Sequence, residues 1–190
     1  MKTILVVSTL DTKGAETYYL RDKIKQIRYE PLVLDISMRL SDDAKADIAP
    51  DKVAQAGGSS FQDILASKER SKNTAIMTKG AAQIALSLWK EGKLHGVIGI
   101  GGSTGSLMAT DVMRALPFGV PKVMISSTAA LPGMSTRYID VGDIALMHSV
   151  AEISGLSDVL KNVIDRSAYA VCGMAEAQPL NLSAEKGPRK

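Results

Sequence analysis

A chain of 190 residues fits one ordinary globular domain and is long enough to bury a substantial core. Its net charge of +3 is mild and aromatic residues make up only 4%, which excludes the concentrated basic stripe and stacking platform of a nucleic-acid binder. The single cysteine, Cys172, excludes an internal disulfide and a multi-cysteine metal site, and its apolar neighbours mark it as a buried structural thiol.

Ile4 to Val7 is a continuous aliphatic run that reads as a strand buried on both faces. It ends in Ser8-Thr9-Leu10-Asp11-Thr12, where Asp11 or Thr12 can cap a helix carrying Tyr19, Leu20, Ile24 and Ile27 as its apolar stripe. Pro31 precedes a second strand, Leu32 to Asp35. From Ser37 to Ser59 the pattern weakens into a surface excursion, with a short helix started by Pro50 and stopped by Gly57-Gly58. Residues 60–89 read as helical with a break near Lys68 to Asn73, and Gly80 weakens the second part. The charge run Lys68-Glu69-Arg70-Ser71-Lys72 reads as solvated surface, as does Lys79.

A third strand, His95 to Ile100, opens into Gly101-Gly102-Ser103-Thr104-Gly105-Ser106 and a helix that ends before Pro117. Pro121 to Ile125 is a fourth strand, followed by the hydroxyl-rich loop Ser126-Ser127-Thr128. A fifth strand spans Ile144 to Met147, and a last helix lies within Val159 to Cys172. Residues 176–190 lack periodicity and read as a tail or linker. No stretch approaches the roughly 18 apolar residues of a membrane helix, and Lys2 to Val7 is too short for a signal peptide. A cytoplasmic protein is the expectation, with neither membrane nor nucleic acid as partner.

Alternating strands and helices predict a three-layer, Rossmann-like α/β domain (residues 1–175) with a mostly parallel sheet. Ligands of such sheets lie beyond the carboxyl ends of the strands, near a reversal of strand order. Three polar loops leave those ends: Ser8 to Gly14, Gly101 to Ser106, and Ser126 to Gly133. In the central loop Gly101, Gly102 and Gly105 permit close ligand approach, the amides at the helix start can face anionic oxygens, and Ser103, Thr104 and Ser106 add hydroxyls. No Gly-Lys-Ser or Gly-Lys-Thr ends the loop, and Thr104 stands where the dinucleotide fingerprint wants glycine, so neither a Walker A ATPase nor a standard NAD enzyme is indicated. Lys13 can neutralise phosphate, and Asp11 can hold a ribose hydroxyl or Mg²⁺; a helix cap with an exposed lysine explains the pair equally well. His95 and His148 lack zinc-site spacing. Ser127 lacks a nucleophile elbow, and no nucleophile–base–acid set can be assembled.

The ordered series Ser8 to Lys13, Gly96 to Ser106 and Pro121 to Ser127, with Tyr138 to Ile144 and Val150 to Leu156, resembles the Tm-1-like ATP-binding family, also called UPF0261. The resemblance covers roughly residues 1 to 175. It implies an N-terminal nucleotide-binding α/β domain, usually followed by a second α/β domain, here a possible separate chain. It implies ATP as ligand, with Mg²⁺ as an optional companion. Gly101, Gly102, Ser103, Thr104, Gly105 and Ser106 would then surround the phosphates, with Thr9, Asp11 and Lys13 as neighbours and Ser127 and Thr128 on the pocket wall. Two further readings stand beside it: part of an enzyme for a small phosphorylated or carboxylated metabolite, and a nucleotide-stabilised protein-interaction module. Homo-oligomerisation is an expected way to close the cleft.

Overall fold

The computed structural model describes residues 1–41 and 43–177; most of the tail expected from residue 176 lies outside them. Five strands form one parallel sheet: β1 (Thr3–Ser8), β2 (Glu30–Asp35), β3 (Gly96–Gly101), β4 (Lys122–Ser126) and β5 (Ala145–His148), in the order β2-β1-β3-β4-β5. The three-layer α/β expectation holds. The helices are α1 (Leu10–Gln26), α2 (Pro50–Gly57), α3 (Phe61–Ala66), α4 (Arg70–Lys90), α5 (Ser103–Ala115), α6 (Met134–Ile139) and α7 (Asp158–Met174). Among the described residues, no helix is long and apolar enough to cross a membrane.

Strand alternation assigns the two faces. Leu5, Val7, Val97 and Met124 point into one core with Val53, Met77, Ala81, Met108 and Val112, from α2, α4 and α5. Ile4, Val6, Ile98, Ile100, Val123 and Ile125 point into the other with Leu20, Ile24, Ile164 and Ala168, from α1 and α7. Apolar side chains on both faces are what a parallel sheet covered by crossover helices requires.

Two details depart from the sequence reading. The excursion after β2 returns to cover that strand's outer edge: Ile48 donates its amide to the Val33 carbonyl at 3.0 Å and accepts from the Asp35 amide at 3.0 Å. At the opposite end of the sheet, β5 is only partly buried and has no strand beyond it among the described residues. Gly80, which the sequence presents only as a weak helix residue, is the crossing point of α4 and α2. A Cβ there would stand 1.9 Å from the Val53 carbonyl oxygen and 2.7 Å from the Gly57 nitrogen, and a Cβ at Gly57 would stand 2.2 Å from the Ile76 carbonyl oxygen. Backbone meets backbone, with no flexible side chain to give way.

Cys172 is buried, and its thiol is pushed up to about 11, first by burial and then by the Glu176 charge. Thiolate is the reactive form. Cys172 should therefore resist a thiol-reactive chromophore at pH 8 in the folded protein and react once in denaturant; rapid native labelling would contradict this burial. Gly80→Ala should lower unfolding stability by about 1–3 kcal/mol or more, as overpacking does, read as a reduced denaturation midpoint in urea.

Candidate functional site

Strand order reverses between β1 and β3, which run side by side from the sheet's centre while their helices leave toward opposite faces. A crevice at such a point lies beyond the carboxyl ends of the strands. Here it is a cleft of about 520 Å³, within the ~300–1,000 Å³ typical of small-molecule sites. Thr9, Asp11, Thr12 and Lys13 line one wall, Gly102, Ser103, Thr104 and Gly105 the floor, and Met38, Arg39, Ser67, Lys68, Arg70 and Asn73 the other side.

The floor is the start of α5. Its N-cap, Gly102, supplies no side chain, and the first amide to close a helical bond is that of Ser106, donating to the Gly102 carbonyl at 2.8 Å. Among the described residues, the amides of Ser103, Thr104 and Gly105 donate to no protein acceptor. Free N–H groups at the positive end of a helix of 13 residues favour an anion. Three other helix starts are already occupied. Ser157 caps α7, and Ser60 with Asp63 forms a capping box on α3. At α1 the Leu10 amide donates to the Asp35 carboxylate at 3.1 Å and the Asp11 amide to the Ser37 hydroxyl at 3.1 Å.

Asp35, at the end of β2, is buried. Its Oδ1 also accepts from the Ser37 amide at 2.9 Å and the Ser37 hydroxyl at 2.5 Å, while that hydroxyl lies 3.2 Å from Asp11 Oδ1. One proton cannot serve both carboxylates, and the shorter contact is with Asp35. Burial holds the Asp35 carboxyl above its ordinary value, aided by the Asp11 charge and opposed by the Ser37 and Leu10 hydrogen bonds.

The expected site residues divide by what they touch. Thr9, Asp11, Lys13, Gly102, Ser103, Thr104 and Gly105 come together around the cleft. The Lys13 ammonium, however, donates to the Ile153 carbonyl in the loop before α7, and Lys13 itself kinks α1 with φ −130° and ψ 25°. Gly101 lies beneath the floor, where a Cβ would stand 3.2 Å from the Gly105 backbone. Ser106 is buried, and its hydroxyl bonds the Gly101 carbonyl at 3.2 Å and the Ser126 hydroxyl at 2.7 Å. Thr128 shares a hydrogen bond of 2.5 Å with the Tyr138 hydroxyl. Ser127 sits beside Gly102, its Oγ 3.8 Å from where a Cβ would be. Neither Ser127 nor Thr128 is among the residues that line the cleft.

Sequence reasoning passed over Arg39, Lys68 and Arg70. The run from 68 to 72 reads as solvated surface, yet the turn between α3 and α4 carries it over the glycine loop, where Arg70 Nη2 donates to Thr104 Oγ1 at 3.3 Å. Among the described residues, none of Lys13, Arg39, Lys68 and Arg70 forms an ion pair. Asp11 is the one carboxylate on the lining, and no group of three or more metal-ligating side chains occurs among the described residues. Any Mg²⁺ would need ligand phosphate oxygens alongside Asp11, which suits that ion's habit.

A family model described as the N-terminal domain of an uncharacterised protein family, UPF0261, matches residues 2–179. The chain belongs to the UPF0261 family. A UPF0261 protein of Clostridium tetani is 36% identical over 185 residues, which is 97% of this chain and 45% of that protein. A UPF0261 protein of Rhizobium meliloti is 36% identical over 186 residues, covering 98% and 45%. The tomato ToMV susceptible protein tm-1 is 30% identical over 191 residues, covering 90% and 24%. The chain thus spans less than half the length of these curated relatives.

The Asp35 carboxyl provides a pH test. Its folded value is raised, so the folded state binds its proton more tightly than the unfolded state does. That contribution is complete at low pH and is lost as pH rises from the ordinary value of 3.8 through the raised one. Asp35→Asn keeps an acceptor for the Leu10 amide and removes the titration. The stability of wild type minus that of Asp35→Asn, from urea unfolding, should fall as pH rises through this window, and a flat difference would contradict the assignment.

Proposed function

We propose that this UPF0261 domain binds the phosphates of a nucleotide, ATP by the family resemblance, at the cleft between β1 and β3. The observation that carries the reading is the set of acceptor-free amides of Ser103, Thr104 and Gly105 opening onto a cleft with four cations on its lining. A phosphate there gains hydrogen bonds, the α5 dipole and nearby positive charge together. In this reading Gly102 leaves the amides uncovered, Thr9, Ser103 and Thr104 add hydroxyls, and Asp11 meets a ribose hydroxyl or a ligand-borne Mg²⁺. Ser106 and Gly101 hold the floor in place from below.

The same features accept a small phosphorylated metabolite, because they recognise phosphate and not a base. A second α/β domain or partner chain would cover the open side of the cleft and supply the groups that choose between a nucleotide and a metabolite, and any catalytic base.

Calorimetric titration with ATP, ADP, AMP and inorganic phosphate, each with and without Mg²⁺, tests the proposal. Gly102 is extended (φ −81°, ψ −159°) with only Ser127 Oγ near a would-be Cβ, so substitution there is compatible with folding. Gly102→Asp should abolish binding of every phosphate ligand by placing a carboxylate at the amides, while Gly102→Ala retains most of it. Undetectable binding by wild type, or unchanged binding by Gly102→Asp, would refute the phosphate reading.

A further inference from the structure

We propose that the corner between α3 and α4 is a distal-phosphate clamp, in which Arg70, supported by Lys68, makes the cleft prefer a polyphosphate over a monophosphate; the inference rests on the phosphate reading above. The α5 amides accommodate one phosphate group, and any further phosphate must extend from the floor toward the opposite wall. That wall holds Arg39, Lys68 and Arg70. Arg70 is the cation placed against the floor, its Nη2 3.3 Å from Thr104 Oγ1 on the first turn of α5. A guanidinium carries five N–H donors; this bond uses one, and no carboxylate pairs with Arg70 among the described residues. Lys13 is less suited to the role, because its ammonium is engaged by the Ile153 carbonyl.

The corner is held in place before any ligand arrives. Buried Asn73, one turn into α4, donates Nδ2 to the Ile64 carbonyl at 2.9 Å and lies 3.4 Å from the Ser67 carbonyl, tying the end of α3 to the start of α4. Farther along, the backbone contact of Gly80 with Val53 and Gly57 fixes α4 against α2. At the start of α4 the Arg70 amide donates to the Lys68 carbonyl at 3.1 Å, which holds the two basic residues of the rim next to each other. A guanidinium fork on a corner held in this way is suited to phosphate oxygens, which it can engage through paired N–H groups.

The test is calorimetry on wild type, Arg70→Ala and Arg70→Lys with ATP and AMP, in EDTA and in Mg²⁺. Arg70 is exposed, so both variants should keep the wild-type thermal midpoint. Wild type should bind ATP more tightly than AMP. Loss of a charged hydrogen-bonding partner should weaken ATP binding by Arg70→Ala about ten-fold or more while AMP changes by less than about two-fold. Arg70→Lys should fall between, keeping the charge and losing the fork. Equal weakening of both ligands, unchanged ATP binding, or a wild type that binds ATP and AMP alike overturns the clamp while leaving the phosphate reading intact. A wild type that binds neither removes both.

Discussion

The site depends on how closely α5 lies against β3. A single methyl at Gly99 would stand 2.6 Å from the Met124 sulfur and 2.9 Å from the Ala109 Cβ, and one at Gly101 would press on the Gly105 backbone at 3.2 Å. With no side chain at Gly99 or Gly101, the first turn of α5 sits directly beyond the end of β3, and its uncommitted amides face the cleft. The Ser106 hydroxyl then ties this turn to Gly101 and Ser126. Beyond Ser126, hydrogen bonds continue through Thr128 to buried Tyr138. Close packing in the core thereby determines where polar groups stand at the surface.

Electrostatics reinforces that geometry by contrast. At α1 an internal carboxylate and a serine hydroxyl already occupy the amides, whereas α5 has only a glycine at its cap. An incoming anion therefore finds the α5 end free, in a field made positive by side chains from three separate segments. Lys13 and Glu16 of α1 serve another purpose as well: they hold the loop before α7 through the Ile153 carbonyl and the Gly155 amide. The cleft wall and that distant loop are mechanically joined.

The sheet and the glycine loop were legible because local composition decides them. Aliphatic runs such as Ile4 to Val7 have few alternatives to a buried strand, and glycines at 101, 102 and 105, at and just past the end of β3, leave little but a tight turn into a helix. Features requiring two distant segments were not legible. Gly80 has meaning only opposite Val53 and Gly57, and Arg70 only once the α3–α4 turn has carried it over Thr104. Ser106 carried the right chemistry in an unexpected direction: its hydroxyl faces the strands, since helix rotation places it on the buried side. The six-residue helix from Met134 to Ile139 is too short to show a period.

The two margins of the sheet differ in a way that bears on assembly. Ile48 occupies backbone groups on the outer side of β2, whereas β5 presents its outer side without a neighbouring strand among the described residues. Unpaired strand margins template addition of further strands, and covered ones resist it. Among the described residues the β5 margin is therefore the one without a backbone partner, and β3 and β4 separate it from β1 at the crevice. The uncovered margin and the cleft thus draw on different backbone groups.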